Sequence, residues 1–184
     1  MNSETFTGKL VRLAAFNAEV DAEIAARWSR DTEYHRLSDD DPAYPQSTKQ
    51  AKEWLEHDSD RHFNFMIRTL ADDRLIGGVG LWLESWAHGE AWVGIGIGDR
   101  MYWGNGYGTD AMCLILRYAF TELNLRRVSL GVFAHNARAI RSYEKAGFHC
   151  EGVVRGDCRR DGQRWDSVFM GILRDEWEAI NNDQ

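Results

Sequence analysis

The chain has 184 residues, of which 43% are hydrophobic and 28% charged, and its formal net charge is −7. These values describe one globular domain long enough to bury a proper core. The acidity disfavours direct nucleic-acid binding and suits a cationic or amine ligand, and no run of about eighteen apolar residues marks a membrane span.

The first residues, MNSETFTGK, lack a basic–apolar leader pattern. Lys9 to Leu13 reads as a short strand. Ala18 to Arg30 reads as a helix with Val20, Ile24 and Trp28 four apart on one face. Residues 31–46 read as an acidic loop before and around Pro42. Its Asp39, Asp40 and Asp41 are solvated, or line the way in for an amine. Ser47 and Gln50 form a capping-box pattern for a helix that turns Ala51, Trp54 and Leu55 inward. Phe63–Leu70 and Leu75–Leu83 are strands joined by Ala71-Asp72-Asp73-Arg74, and a loop over residues 84–90 leads to a strand at Ala91–Gly98.

The following segment, Val93 to Ala111 (VGIGIGDRMYWGNGYGTDA), carries the strongest chemical signal. An apolar strand enters a loop with Gly104, Gly106 and Gly108, and a mostly apolar helix follows over Thr109–Leu123. First-turn N–H groups lack helical partners, and the helix dipole favours negative charge there, so a phosphorylated ligand suits the site. Neither nucleotide loop of that general kind fits. A P-loop needs Gly-Lys-Ser/Thr, and no Lys follows Gly108; the dinucleotide fingerprint needs a third glycine where Thr109 stands.

Arg126 to Ala134 reads as the next strand, with Val128, Leu130 and Val132 on one face. Asn136 is a good N-cap for a helix in which Ala139, Ile140, Tyr143 and Ala146 recur at helical spacing, and Gly147 stands where a C′ glycine belongs. Gly152 to Gly156 breaks the penultimate strand, Asp161-Gly162 is a hairpin turn, and Ser167–Leu173 is the last strand. Cys113, Cys150 and Cys158 are odd in number and lack CxxC spacing, which argues for a reducing, cytoplasmic setting and against a metal knuckle. Trp28 and Trp54 are expected to pack in the core, and Trp82, Trp86, Trp92 and Trp103 to gather near the glycine loop.

Taken together, WGNGYGTDA and Asn136-Ala-Arg-Ala-Ile-Arg-Ser-Tyr143-Glu-Lys-Ala-Gly147-Phe148 resemble the two cofactor motifs of the GNAT acetyltransferase superfamily. The start, GKLVRLAAFNAEVDAEIAARW with PQSTKQAKEWL, and the end, DGQRWDSVFMGILRDEW, are similar to the branch that acetylates ribosomal-protein N-termini. The resemblance spans nearly the whole chain. It implies a single α/β (α+β) domain over residues 1–184: one mixed, mostly antiparallel, twisted sheet of about seven strands, helices on both faces, and a splayed central parallel pair.

The same resemblance implies acetyl transfer from acetyl-CoA to a primary amine, which belongs to a protein N-terminus, a polyamine or another small molecule. Neither a metal nor a membrane is required, and a homodimer is possible. The pantetheine arm would lie against Ile95, Gly96 and Ile97, with the backbone N–H of Ile95 polarising the thioester carbonyl. Trp103, Gly104, Asn105, Gly106, Tyr107, Gly108 and Thr109 would hold the pyrophosphate. Asn136, Ala139 and Lys145 would bind the cofactor from the second motif, and Tyr143 would bind it and protonate the leaving thiolate. Three positions depart from the family pattern: Trp103 stands where Gln or Arg is usual, Asn105 where this branch often has Lys or Arg, and Trp92 where many relatives place an acid. Phosphate charge would then fall to backbone amides with Arg100, Arg138 or Lys145, and the general base to Glu84, Glu90, His88 or water. An α-amine, with a pKa near 8, needs a base less than an alkyl amine near 10.4. The alternative is a noncatalytic acyl-CoA-binding module of the same fold, which the substitution at Trp92 permits.

Overall fold

The apolar alternation of seven strands builds one sheet: β1 (Val11–Ala14), β2 (His62–Thr69), β3 (Leu75–Ser85), β4 (Glu90–Ile97), β5 (Arg127–Phe133), β6 (His149–Arg160) and β7 (Gln163–Leu173). Six helices accompany it: α1 (Ala18–Trp28), α2 (Thr32–Ser38), α3 (Thr48–Leu55), α4 (Tyr107–Thr121), α5 (Ala137–Lys145) and α6 (Arg174–Asn182). The computed structural model describes residues 5–56 and 59–182; residues 1–4, on which part of the leader reading rests, lie outside them.

The strand order is β1-β2-β3-β4-β5-β7-β6. Neighbours run antiparallel except β4 and β5. That parallel pair is joined only over Glu90↔Arg127, Ala91↔Val128 and Trp92↔Ser129. Beyond Trp92 the two strands part, and the sheet opens in the middle, as the expected fold requires.

Alternation along β4 and β5 divides their side chains between two faces. Ala91, Val93, Val128, Leu130 and Val132 are buried in the main core, and Ile95 and Ile97 pack against it. Helix α4 closes that face with Ala111, Met112, Leu114, Ile115, Leu116, Ala119 and Phe120. The opposite face carries Trp92, Gly94 and Gly96, and there α2 packs on β4. Asp21 of α1 is fully buried and meets Arg68 of β2 at 2.5 Å, tying α1 to the sheet.

Several local expectations are corrected. Residues 31–46 are not all loop, since α2 occupies Thr32–Ser38. It has no buried residue and no apolar stripe to announce it; its first turn is capped by the Asp31 carboxylate, which accepts from the N–H groups of Glu33 and Tyr34. Val20 and Trp54 face solvent, at 54% and 67% exposure. The packed positions of α1 and α3 are Ala22, Ala26 and Ala51, small residues that let the two helices approach each other. Trp28 does pack, lying against Gly98, where a Cβ would meet its ring at 2.1 Å. The expected 84–90 loop shrinks to residues 86–89. Gly152 and Gly156 do not break β6, whose pairing with β7 absorbs two register shifts. Helix α4 begins at Tyr107, two residues early, and α6 extends the chain beyond the last expected strand.

Candidate active site

The parting of β4 and β5 leaves backbone groups without ladder partners. The Gly98 N–H donates to Ile76 O of β3, and antiparallel alternation turns the N–H and C=O of Ile95 and Ile97 the other way, into the gap. Trp103 Nε1–H donates to Ile97 O at 2.6 Å. Ile95 therefore presents a backbone donor and acceptor where the strands are already apart.

At the mouth of this gap the chain turns into α4. Gly104 and Gly106 have φ of +78° and +89°, a left-handed conformation that favours glycine. Gly106 is the N-cap of α4 and offers no side-chain hydrogen bond, so the first-turn amides stay available to a ligand. The cleft is lined by Ile95, Gly96, Ile97, Trp103, Gly104, Gly106, Gly108 and Thr109 from this side, and by Asn136, Ala139, Tyr143 and Lys145 from α5 and its cap. Most of the residues expected to hold the cofactor are thus brought together. The hydroxyls of Thr109 and Ser142 meet at 2.7 Å and join α4 to α5 at the cleft wall.

Two expected residues turn elsewhere. The Asn105 amide donates to Met101 O at 3.2 Å, and the Tyr107 ring packs edge-on against Tyr102; only their backbones belong to the loop. Asn136 does line the cleft, but its side chain already has work within the fold. Its Oδ1 accepts from Ala139 N–H, and its Nδ2–H donates to Leu37 O of α2 at 3.3 Å.

The structure also sorts the candidate cations. Arg100 is bound to Asp31 through two 2.5 Å contacts and to Glu33 through a third. This pair drives the Asp31 carboxyl down to about 2, with the Arg100 hydrogen bond the main cause. Arg138 instead lies 3.7 Å from the Trp103 ring centroid and lines the cleft with Arg141 and Lys145. Burial lowers the Arg138 pKa, yet a guanidinium remains charged. The cations that line the cleft thus come from α5, and Trp103 is the flat surface on which Arg138 rests.

Glu84, Glu90 and His88 are not brought to the cleft. Leu83 pairs with Ala91 and Ser85 with Glu90, which puts Glu84 roughly 13 Å along the strand from Ile95. Glu90 pairs with Arg126, which also donates to His88 O. Trp92 packs edge-on against Phe169. Of the four tryptophans expected near the loop, only Trp103 lines the cleft. Among the described residues, no carboxylate does so.

Tyr143 stands in the cleft as expected, and burial pushes its phenol up to about 12. A thiol leaving group has a conjugate-acid pKa near 8.5, about 3.5 units lower. A phenol raised in this way is suited to donating a hydrogen bond, whereas full transfer of its proton to such a thiolate would run uphill. Three lining residues, Tyr34, Leu37 and Ser38, come from α2, which had no apolar periodicity in the sequence to reveal it.

The geometry agrees with comparison to known proteins. The acetyltransferase (GNAT) domain family matches residues 11–149. The chain is 39% identical over 128 residues to the probable N-acetyltransferase YjcK of Bacillus subtilis, covering 69% of each chain. It is 31% identical over 110 residues to the putative ribosomal N-acetyltransferase YdaF of the same organism, covering 60% of each. Among solved structures, the spermidine N-acetyltransferase of Vibrio cholerae in complex with CoA and spermine superposes with a TM-score of 0.80 at 25% identity, covering 91% of this chain and 97% of that one.

Proposed function

The chain belongs to the GNAT acetyltransferase family and is an N-acetyltransferase that uses acetyl-CoA, and from that premise we propose that it acetylates a small primary amine, a polyamine foremost, by direct attack on the thioester. The carrying observation is the gap between β4 and β5, with the amides of α4 at its mouth and the Tyr143 phenol in its wall. In this reading the first-turn amides of α4, with Arg138 and Lys145, hold the phosphates. The Ile95 N–H stabilises the oxyanion that forms as the carbonyl is attacked. The amine nitrogen forms a bond to the carbonyl carbon, the carbon–sulfur bond breaks with its electron pair on sulfur, and Tyr143 stabilises the thiolate by its hydrogen bond. The proton lost by the amine passes to solvent. The noncatalytic alternative loses its ground, since the relatives are N-acetyltransferases and Tyr143 stands in the cleft.

A polyamine is supported by the net charge of −7, by Asp39, Asp40 and Asp41 directly after the cleft residue Ser38, and by the likeness to a spermidine acetyltransferase. A protein N-terminus is the second reading. The lack of a lining carboxylate favours it, because an α-amine near pKa 8 loses its proton without a strong base. A homodimer and a cytoplasmic setting belong to the same proposal; no helix among the described residues is long and apolar enough to cross a membrane. Thiol release from acetyl-CoA, measured against spermidine, spermine and short peptides with free N-termini, separates the readings. Turnover on the polyamines alone supports the first, and turnover on peptides alone replaces it with the second. CoA binding without thiol release on any amine would refute both.

A further inference from the structure

Two tyrosines reach the end of the β4–β5 gap, and the mechanism above uses only one. Tyr143 arrives from α5, on the face that Ile95 and Ile97 share with the core. Tyr34 arrives from α2 on the other face. A Cβ built on Gly96 would lie 2.4 Å from the Tyr34 Oη, so the phenol rests on the strand backbone in the space that glycine leaves. This position is held firmly. Asp31 caps α2 through the N–H groups of Glu33 and Tyr34, and it accepts two hydrogen bonds from Arg100. Arg100 opens the short turn that leads into Trp103 and the glycine loop. The helix bearing Tyr34 is thus fastened to the segment that grips the cofactor.

The argument for a role in the acceptor site rests on the reading that the thioester lies beside Ile95. With a cofactor held by α4 and α5, the face left for an amine is the one on which α2 packs. There Gly94 and Gly96 leave β4 without side chains of its own, and Tyr34, Leu37 and Ser38 line the cleft. We propose that Tyr34 is the acceptor-positioning residue: its hydroxyl oxygen accepts a hydrogen bond from the incoming amine and holds the nitrogen over Gly96, while the Arg100–Asp31 pair sets the height of that hydroxyl. Burial pushes the Tyr34 phenol up to about 12, with the Ser38 side chain acting in the opposite direction. The group stays neutral and accepts a hydrogen bond from the amine N–H; it does not take the amine's proton.

The test is Tyr34→Phe, which keeps the ring and removes the hydroxyl. Steady-state kinetics with the best amine of the panel should show kcat/KM for the amine falling about tenfold, the equivalent of one hydrogen bond of roughly 1.4 kcal/mol, with most of the change in the amine KM. CoA affinity by calorimetry and the Tm should match wild type. Arg100→Gln releases the clamp and should raise the amine KM in the same direction, with CoA affinity held within about twofold. An unchanged amine kcat/KM in Tyr34→Phe overturns the proposal, and so does an equal loss of CoA affinity, which would mark the residue as structural. A loss of CoA affinity in Arg100→Gln without a rise in the amine KM removes the clamp from it. If wild-type protein releases no thiol with any amine, the transferase reading beneath the proposal fails, and the proposal with it.

Discussion

Replacing Gly106 and Gly108 separately by alanine should divide the glycine loop into a conformational part and a steric part. Gly106 has φ +89° and caps α4, whereas Gly108 lies within the first turn of that helix and is not among the residues with positive φ. Alanine in a left-handed conformation costs about 1–2 kcal/mol. At about 2–4 °C per kcal/mol for a chain of this size, Gly106→Ala should lower Tm by about 2–8 °C. A Cβ on Gly108 would sit 3.8 Å from Ile97 Cγ1 and 3.9 Å from Ser142 Oγ, both ordinary contacts. Since alanine is favoured over glycine in a helix by up to about 1 kcal/mol, Gly108→Ala should leave Tm unchanged or raise it slightly. That same methyl, however, projects between two residues of the cleft wall, so Gly108→Ala should weaken CoA binding while the fold stays intact. Gly106→Val adds a branched side chain at the α4 N-cap and should abolish CoA binding. Scanning calorimetry without ligand and CoA titration by isothermal calorimetry measure the two effects separately. A Gly106→Ala protein as stable as wild type would refute the loop geometry, and normal CoA affinity in Gly106→Val would refute the assignment of the loop to the pyrophosphate.

Tyr143→Phe should lower kcat at least about tenfold with CoA affinity nearly unchanged, as expected for a hydrogen bond made mainly to the developing thiolate; equal kcat in a thiol-release assay would remove Tyr143 from the mechanism. Both Tyr34 and Tyr143 have folded-state values raised to about 12 against an ordinary 10. The stability linked to their neutral forms is fully present below pH 10 and lost as pH rises through about 12, so urea unfolding should show a decline over that window. The Tyr34→Phe/Tyr143→Phe double variant should flatten that decline, and an identical alkaline profile would contradict the burial of the phenols. Asp21→Ala should destabilise the protein by about 3–5 kcal/mol, because it strands Arg68, which is only 15% exposed, and removes the acceptor for Asn17 N–H. A midpoint shift in urea worth less than about 1 kcal/mol would show that the pair matters little.

Elements with a local cause were legible in the chain. The Ser47–Gln50 capping box, the Asn136 cap and the left-handed Gly147 all formed where their residue types placed them. Each depends on contacts within a few residues. The strands of the central sheet were equally plain, since their apolar alternation survives any arrangement of neighbours. Legibility failed where the pattern was weak or the partner distant. Helix α2 shows no stripe because it lies on the sheet through Tyr34 and is fastened by Arg100, 69 residues after Asp31. Trp54 and Val20 sit at helical spacing, but α1 and α3 meet through alanines, and the larger side chains are left outside. The candidate bases failed for a different reason. Glu84 and Glu90 are close to Ile95 along the chain, but strand rise carries them away from the gap, to the stretch where β4 and β5 are still paired.

The sequence by itself determined the local geometry of the glycine loop and of the helix that faces it. A glycine turn, an uncapped helix start and an asparagine-capped helix bearing Tyr143 are each built from consecutive residues, and backbone sterics and local hydrogen bonding leave them little choice. Only the tertiary structure decided which arginine lines the cleft and what packs on the other face of β4. Arg100 and Arg138 are alike as residues. Packing alone gives the first to Asp31 and leaves the second over Trp103 in the cleft. Tyr34 reaches Gly96 because α2 packs on β4 and the glycine leaves room for the phenol. Such placements depend on long-range pairing, for which no short segment carries a signal.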